Sequence, residues 1–250
     1  AKAAKKADRI AAEGLTAFVV DGNTAALVEV NSETDFVAKN KEFQELVASV
    51  ANQVVANKPA TLEDALKIDV DGKPLEIVIA EASGKIGEKL SLRRFSVMEK
   101  ADDEVFGAYS HMGGKMSAIV KVSGASEEVA RDVAMHVAAQ APKYIDRTAM
   151  PAEEIAHEKS VLLTQALEEN AKAAKPKPEN IIEKMVEGRL NKNLKEICLV
   201  DQEFIKNPDQ TIAQYVGNGK ILEMARFQVG EGIEKKEENF AEEVAKQMNL

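Results

Sequence analysis

Few side chains in this 250-residue sequence have the type and spacing needed to make or break a bond. The three histidines, His111, His136 and His157, are too scattered for a metal-ligand set, so each reads first as a structural residue. Gly113-Gly114-Lys115-Met116 has the outline of a phosphate loop. The earlier glycine such a loop needs is Tyr109, however, and Met116 replaces the hydroxyl that would meet Mg²⁺, so a hairpin turn is the better reading. Gly217-Asn218-Gly219-Lys220 fails the same test, and neither a Gly-x-Ser-x-Gly elbow nor a catalytic triad order is present. The acid pairs Asp102-Asp103 and Glu153-Glu154 sit in hydrophilic stretches and read as solvated. Cys198 lies in the apolar run Ile197-Cys198-Leu199-Val200 and reads as a buried, unreactive thiol. The expectation is a protein that is not an enzyme and uses no metal or cofactor.

Chemistry by contact is a different matter. In Asn31-Ser32-Glu33-Thr34-Asp35-Phe36-Val37-Ala38-Lys39-Asn40, Thr34 is suited to cap a helix. Asp35 then falls where the positive end of the helix dipole favours a carboxylate. Phe36 puts a large apolar side chain on the same first turn. A helix tip that carries an acid and an aromatic has the shape to push into another protein.

The elements that must position this tip can be read on both sides of it. Ala25-Ala26-Leu27-Val28-Glu29-Val30 reads as a buried strand, paired to Leu15–Val20 through a hairpin turn at Asp21-Gly22-Asn23. A helix with Phe43, Leu46, Val47, Val50 and Val54 on one face follows. Residues 57–85 read as a connection, with a helical turn near 61–67 and a turn at Asp71-Gly72-Lys73-Pro74. Strands are expected at Leu90–Met98, Val105–His111 and Met116–Val122, then a helix from Ser126 to about Gln140. Residues 151–199 read as two long helices joined at Lys175-Pro176-Lys177-Pro178, an antiparallel hairpin. A loop with Asn207-Pro208, a short helix, a strand near Ile221–Val229 and a charged helix at Glu238–Met248 complete the chain.

An internal repeat makes Phe36 unusual. A shift of 92 lays Leu27-Val28-Glu29-Val30 on Ile119-Val120-Lys121-Val122, and Thr34-Asp35-Phe36-Val37-Ala38-Lys39-Asn40 on Ser126-Glu127-Glu128-Val129-Ala130-Arg131-Asp132. The cap, the acid, the Val-Ala pair and the basic residue recur, but Phe36 meets Glu128. A position that accepts a charge in the second copy is expected to be exposed in the first. The other reading is that Phe36 tucks under its own loop as a hydrophobic staple.

The fold class expected is α+β. Two related subdomains pack small antiparallel sheets against helices, with a coiled-coil helical-hairpin arm and a C-terminal helix. The boundaries read as a basic helix or linker at 1–13, subdomains at 14–100 and at 101–150 with 200–229, the inserted arm at 151–199, and a terminal module at 230–250. On the first of these, Lys2, Lys5, Lys6 and Arg9 form a basic face that could touch an acidic partner, although a solvated face is the plainer reading. Hydrophobic residues at 45% with charged residues at 30% describe a globular chain rather than a disordered one. A net charge of -9 disfavours a general phosphate-backbone binder, so no direct nucleic-acid contact is expected. One cysteine rules out an intrachain disulfide and suits a reducing cytoplasm, and no apolar run approaches a membrane span.

Thr34-Asp35-Phe36-Val37-Ala38-Lys39, Lys85-Ile86-Gly87-Glu88, Tyr109-Ser110-His111-Met112-Gly113-Gly114-Lys115, Met135-His136-Val137-Ala138-Ala139 and Gly230-Glu231-Gly232-Ile233-Glu234 occur in this order. Together they resemble the elongation factor Ts family over essentially the whole chain. Ala1-Lys2-Ala3-Ala4-Lys5-Lys6-Ala7 resembles the segment that follows the family's small ubiquitin-associated-like domain, which is expected to be missing here. The resemblance implies a guanine nucleotide exchange factor for the GTPase elongation factor Tu, in which an Asp-Phe pair enters the GTPase near its Mg²⁺ and phosphate region. Carried over, that pair is Asp35 and Phe36, flanked by Thr34 and Val37. Ile86 and His111 match positions implicated in partner contact, and Ile205 is a weaker match because Lys206 follows it. The arm corresponds to the family's coiled coil, and the C-terminal helix to its tail module. The rival reading is a scaffold or assembly module that dimerises through the arm.

Overall fold

The stretches on either side of Asp21-Gly22-Asn23 close into an antiparallel hairpin of β1 (Glu13–Asp21) and β2 (Thr24–Ser32). Gly22, with φ of 58°, is the first of two turn residues, as a type II′ turn requires. In this computed structural model, residues 6–234 are described, together with Ala245 and Met248. They fall into two units, described separately below.

Among the described residues the first unit comprises 6–97, 110–117 and 227–234. Beyond β2 lie the one-turn helix α1 (Asp35–Ala38) and α2 (Lys41–Asn57). Next come α3 (Leu62–Leu66), the short pair β3 (Asp69–Val70) and β4 (Lys73–Pro74), and α4 (Leu75–Ile86). β5 (Ser91–Glu99) then pairs with β2, which is the central strand of the sheet β1-β2-β5. Every residue of β2 is buried. One face, Ala26, Val28 and Val30, meets Phe43, Leu46, Val47, Val50 and Val54 of α2, the stripe that the spacing predicted.

The second unit comprises residues 98–109 and 118–226. Its sheet has the order β10-β7-β6, built from β6 (Glu104–His111), β7 (Met116–Ser123) and β10 (Lys220–Gln228). α5 (Glu127–Gln140) packs on it through Ala130, Val133, Ala134 and Val137. Gly107 permits this approach, since a Cβ there would stand 2.0 Å from the Ala130 carbonyl oxygen. The arm is α6 (Ala152–Ala171) and α7 (Glu179–Ile197), each opened by a proline at its N-cap. Its seam buries Ala166, Ile182 and Val186, then Leu190 and Leu194 towards its base. The Asn170 side chain brackets Lys177, accepting from its N–H at 2.7 Å and donating to its carbonyl at 3.0 Å. β8 (Glu203–Phe204), β9 (Asn207–Thr211) and α8 (Ile212–Val216) complete this unit.

The repeat is visible in both central strands, since a shift of 92 carries β2 onto β7. The helices align differently. The buried Phe43, Leu46, Val47, Val50 and Ala51 fall on Ala130, Val133, Ala134, Val137 and Ala138 at a shift of 87. The first copy therefore holds five more residues between strand and long helix, and those residues make room for α1.

Other expectations need correction. Residues 57–85 are more than a connection, because α4 begins directly after Pro74 and buries Leu75, Ile79 and Ser83 at a spacing of four. Residues 7–12 run as turn, bend and irregular chain rather than helix. Asn207-Pro208 lies within β9 rather than in a loop. The helix expected at 238–248 lies outside the described residues, Ala245 and Met248 excepted.

Candidate functional site

The tip begins with a cap. Thr34 has extended backbone, and its hydroxyl oxygen accepts from the Val37 N–H. Asp35 occupies the first turn, and α1 ends at once because Asn40 caps α2 by accepting from the Glu42 and Phe43 N–H groups. Phe36 is 79% exposed, so the staple reading fails and exposure, as the repeat implied, is what the structure has. Val37 and Ala38 face the other way and pack, half-buried, on the core beneath the sheet. Val37 thus attaches the tip to its base rather than presenting it.

A second segment holds the tip from the side. The Glu88 carboxylate accepts from the backbone N–H groups of Glu33 and Thr34, each at 2.9 Å, and from the Thr34 hydroxyl at 2.5 Å. Glu33 reciprocates by accepting from the Lys89 N–H at 2.9 Å, and Arg9 reaches the same Glu33 oxygen at 3.4 Å. Ile86, one of the matched positions, packs half-buried on the same core as Val37, at the end of α4. Glu88 was not picked out from the sequence as a site residue, although it closes the quoted Lys85-Ile86-Gly87-Glu88 stretch.

His111 is exposed at the end of β6, ahead of the turn through Gly113 and Gly114, and belongs to the same unit as the tip. That turn is a hairpin and not a phosphate loop, with Gly114 donating its N–H to the His111 carbonyl. Ile205 belongs to the other unit, on the β8–β9 connection, and is 42% exposed beside buried Phe204.

His136 fixes the chain at Ile205. It is fully buried on α5 and accepts at Nδ1 from the Ile205 N–H, 3.2 Å away. Its Nε2 lies 2.9 Å from the Gln202 side-chain oxygen, whose amide is oriented by donating to the Glu196 carbonyl. The ring is therefore neutral with its proton on Nε2. Burial pushes its pKa below the usual histidine value, against the opposing pull of Gln202. The folded state thus binds fewer protons than the unfolded chain below pH ~6.5, and stability falls as pH falls from there. The slope is at most about 1.4 kcal/mol per pH unit. Thermal melts of wild type and His136→Gln between pH 7.5 and 5.5 should show a shallower decline for the variant, and parallel curves would refute this.

Cys198 is buried, and burial raises its thiol pKa, in keeping with an inert residue. Among the described residues no group of three or more His, Cys, Asp or Glu could hold a metal ion, and no helix is long and apolar enough to cross a membrane.

Comparison with known proteins places the chain in a family. The family model described as "Elongation factor TS" matches residues 33–231, from the clasped base of the tip to the chain just past β10. An "Elongation factor Ts" from Pediococcus pentosaceus is 56% identical over 250 residues, covering 99% of this chain and 84% of that relative.

Proposed function

We propose a function on the premise that this chain belongs to the elongation factor Ts family. The chain acts as a guanine nucleotide exchange factor, promoting GDP release from elongation factor Tu during translation elongation. It performs no covalent chemistry. It binds the nucleotide-free GTPase better than the loaded one, and by linkage it weakens nucleotide by the same ratio that nucleotide weakens it. Phe36 inserts between partner helices, and Asp35 anchors the tip by accepting hydrogen bonds. The resulting shift disturbs Mg²⁺ coordination and loosens the diphosphate.

The observation that supports this reading is the exposed Phe36 on a one-turn helix whose other side packs on the core. Burying one Phe contributes roughly 1.5–3 kcal/mol, about one to two decades in an equilibrium. The wedge therefore needs a wider interface, to which His111 and Ile205 contribute exposed surface. The test is release of a fluorescent GDP from elongation factor Tu with a catalytic amount of chain. Multiple turnovers at an accelerated rate are expected, and unchanged release would refute the reading. The rival, a module that dimerises through the arm, is favoured by the exposed Val161, Leu167 and Ile181 there, and it predicts binding with no change in release.

A further inference from the structure

We infer that Glu88 is a positioning residue for exchange: its carboxylate fixes the backbone from which Asp35 and Phe36 project, so that the tip meets the GTPase already shaped. The inference rests on the exchange reading above and adds a residue that need not touch the partner.

A helix as short as α1 cannot hold itself. Four residues fix the dihedrals of a nucleus with almost no propagation to offset them, and none of the four is fully buried. Its shape must come from outside. Val37 and Ala38 supply an apolar footing, but an apolar footing does not set direction. Direction comes from hydrogen bonds, and three donors of Glu33 and Thr34 converge on the one carboxylate of Glu88. Two of these are backbone N–H groups immediately before Asp35, so the carboxylate sets the peptide planes that aim the tip.

Glu88 is itself held. It follows Gly87, the left-handed residue (φ 93°) that ends α4, and its carbonyl accepts from the Ser83 hydroxyl at 2.5 Å. The clasp also closes in the other direction, through the bond from the Lys89 N–H to Glu33. The chain ahead of β1 is seated on the same clasp. Lys89 donates through Nζ to the carbonyls of Ala7 and Arg9, and the Lys6 ammonium reaches the Ser83 carbonyl at 2.9 Å. Tip, α4 terminus and N-terminal stretch thus share one set of polar bonds. A tip held in its bound shape has less freedom to lose when it docks.

The test uses the full chain as wild type, Glu88→Ala, Glu88→Gln and Phe36→Ala, with two readouts. One is amide hydrogen exchange at Glu33, Thr34 and Val37. The other is the release of fluorescent GDP from elongation factor Tu, titrated with chain to separate the maximal rate from the half-saturating concentration. Glu88→Ala is expected to lower amide protection at the tip and to cut the maximal rate about tenfold, the scale of losing one charge-assisted hydrogen bond net. The half-saturating concentration should move little, because the remaining interface is untouched. Glu88→Gln keeps an oxygen for the two N–H groups and can donate to the Thr34 hydroxyl, so it should stay within about threefold of wild type. Phe36→Ala should leave tip protection unchanged while slowing release, which separates aiming from wedging.

A Glu88→Ala variant that matches wild type in protection or in maximal rate overturns the inference, as does a Glu88→Gln variant as slow as the alanine. Should Glu88→Ala fail to fold, Thr34→Val carries the test: it removes the hydroxyl bond, and wild-type protection and rate in that variant would overturn the inference equally. If the wild-type chain does not accelerate release at all, the exchange reading falls and this inference with it. Acceleration by wild type and Glu88→Ala alike leaves the reading intact and removes the inference alone.

Discussion

Phe36→Ala should slow GDP release from elongation factor Tu by about tenfold to a hundredfold and leave the melting temperature of the chain nearly unchanged. The two halves of this result come from one fact, the 79% exposure of the ring. No part of the core closes over Phe36, so its removal opens no cavity, and a surface substitution of this kind typically changes stability by less than about 0.5 kcal/mol. On the proposed wedge the ring is buried in the complex, and its transfer from water is worth roughly 1.5–3 kcal/mol. That interaction exists only once the tip has entered the partner, so its loss falls on the step that expels nucleotide. Asp35→Asn should cost less, because an amide oxygen still accepts from partner donors and only the charge assistance is lost. Stopped-flow release and calorimetry on the same preparations check both halves. Equal release by wild type and Phe36→Ala would end the wedge account, and a fall of many degrees in melting temperature would mean that the ring serves the fold.

What the sequence made legible follows from the range of each signal. The exposure of Phe36 agrees with the shift of 92 that set it against Glu128, but the long helices align at a shift of 87 and α1 lies in residues the second copy lacks, so Glu128 is not its structural equivalent. The hairpin and the α2 stripe could be read because turn chemistry and helical period are local. The brevity of α1 could not, since Thr34 announces where a helix starts but not that a second cap, Asn40, restarts it six residues later. Leu75-Glu76-Ile77-Val78-Ile79 after a proline carries the β-branched residues of a strand, and only tertiary burial of Leu75, Ile79 and Ser83 makes it helical. Glu88 was hidden for a different reason. Its bonds reach 54 and 55 residues back along the chain, and no local pattern encodes a pairing at that distance. His136 shows the same limit: its structural character was legible, but its partner Gln202, 66 residues away, was not.

Glu29 is the other residue whose replacement should have a large effect, this time on stability. It stands in a strand read as apolar, its side chain is fully buried, and four groups serve it. Arg94 reaches one carboxylate oxygen at 2.5 Å. Arg93, Asn31 and the Gly230 N–H reach the other at 3.2, 2.9 and 2.9 Å. Through Gly230 the carboxylate ties the chain beyond β10 to the central strand. No larger residue could make that approach, because a Cβ on Gly230 would stand 2.2 Å from the Ala12 carbonyl oxygen. Glu29→Gln removes the buried counter-charge of Arg93 and Arg94, leaving Arg94 only a longer contact to Glu231 at 3.9 Å, and turns an amide N–H₂ toward donors that need an acceptor. Removing one member of a buried ion pair costs about 3–5 kcal/mol. For a chain of this size that is a fall of roughly 6–20 °C in the melting of the first unit.

The pH dependence gives a second check on the same group. Burial alone would raise the Glu29 pKa, but the bonds from Gly230, Asn31 and Arg94 outweigh it and hold the carboxyl below its usual range. The contribution of Glu29 is therefore complete above the ordinary glutamate pKa of about 4.3 and is lost as pH falls through the lower folded value. The gap in melting temperature between wild type and Glu29→Gln should be constant from pH 7 to about 5 and should close on further acidification, as the wild-type carboxyl gains the proton that makes it resemble the amide. A gap that persists undiminished at pH 3, where the native state of both can still be melted, would mean that the damage is steric and not the loss of charge.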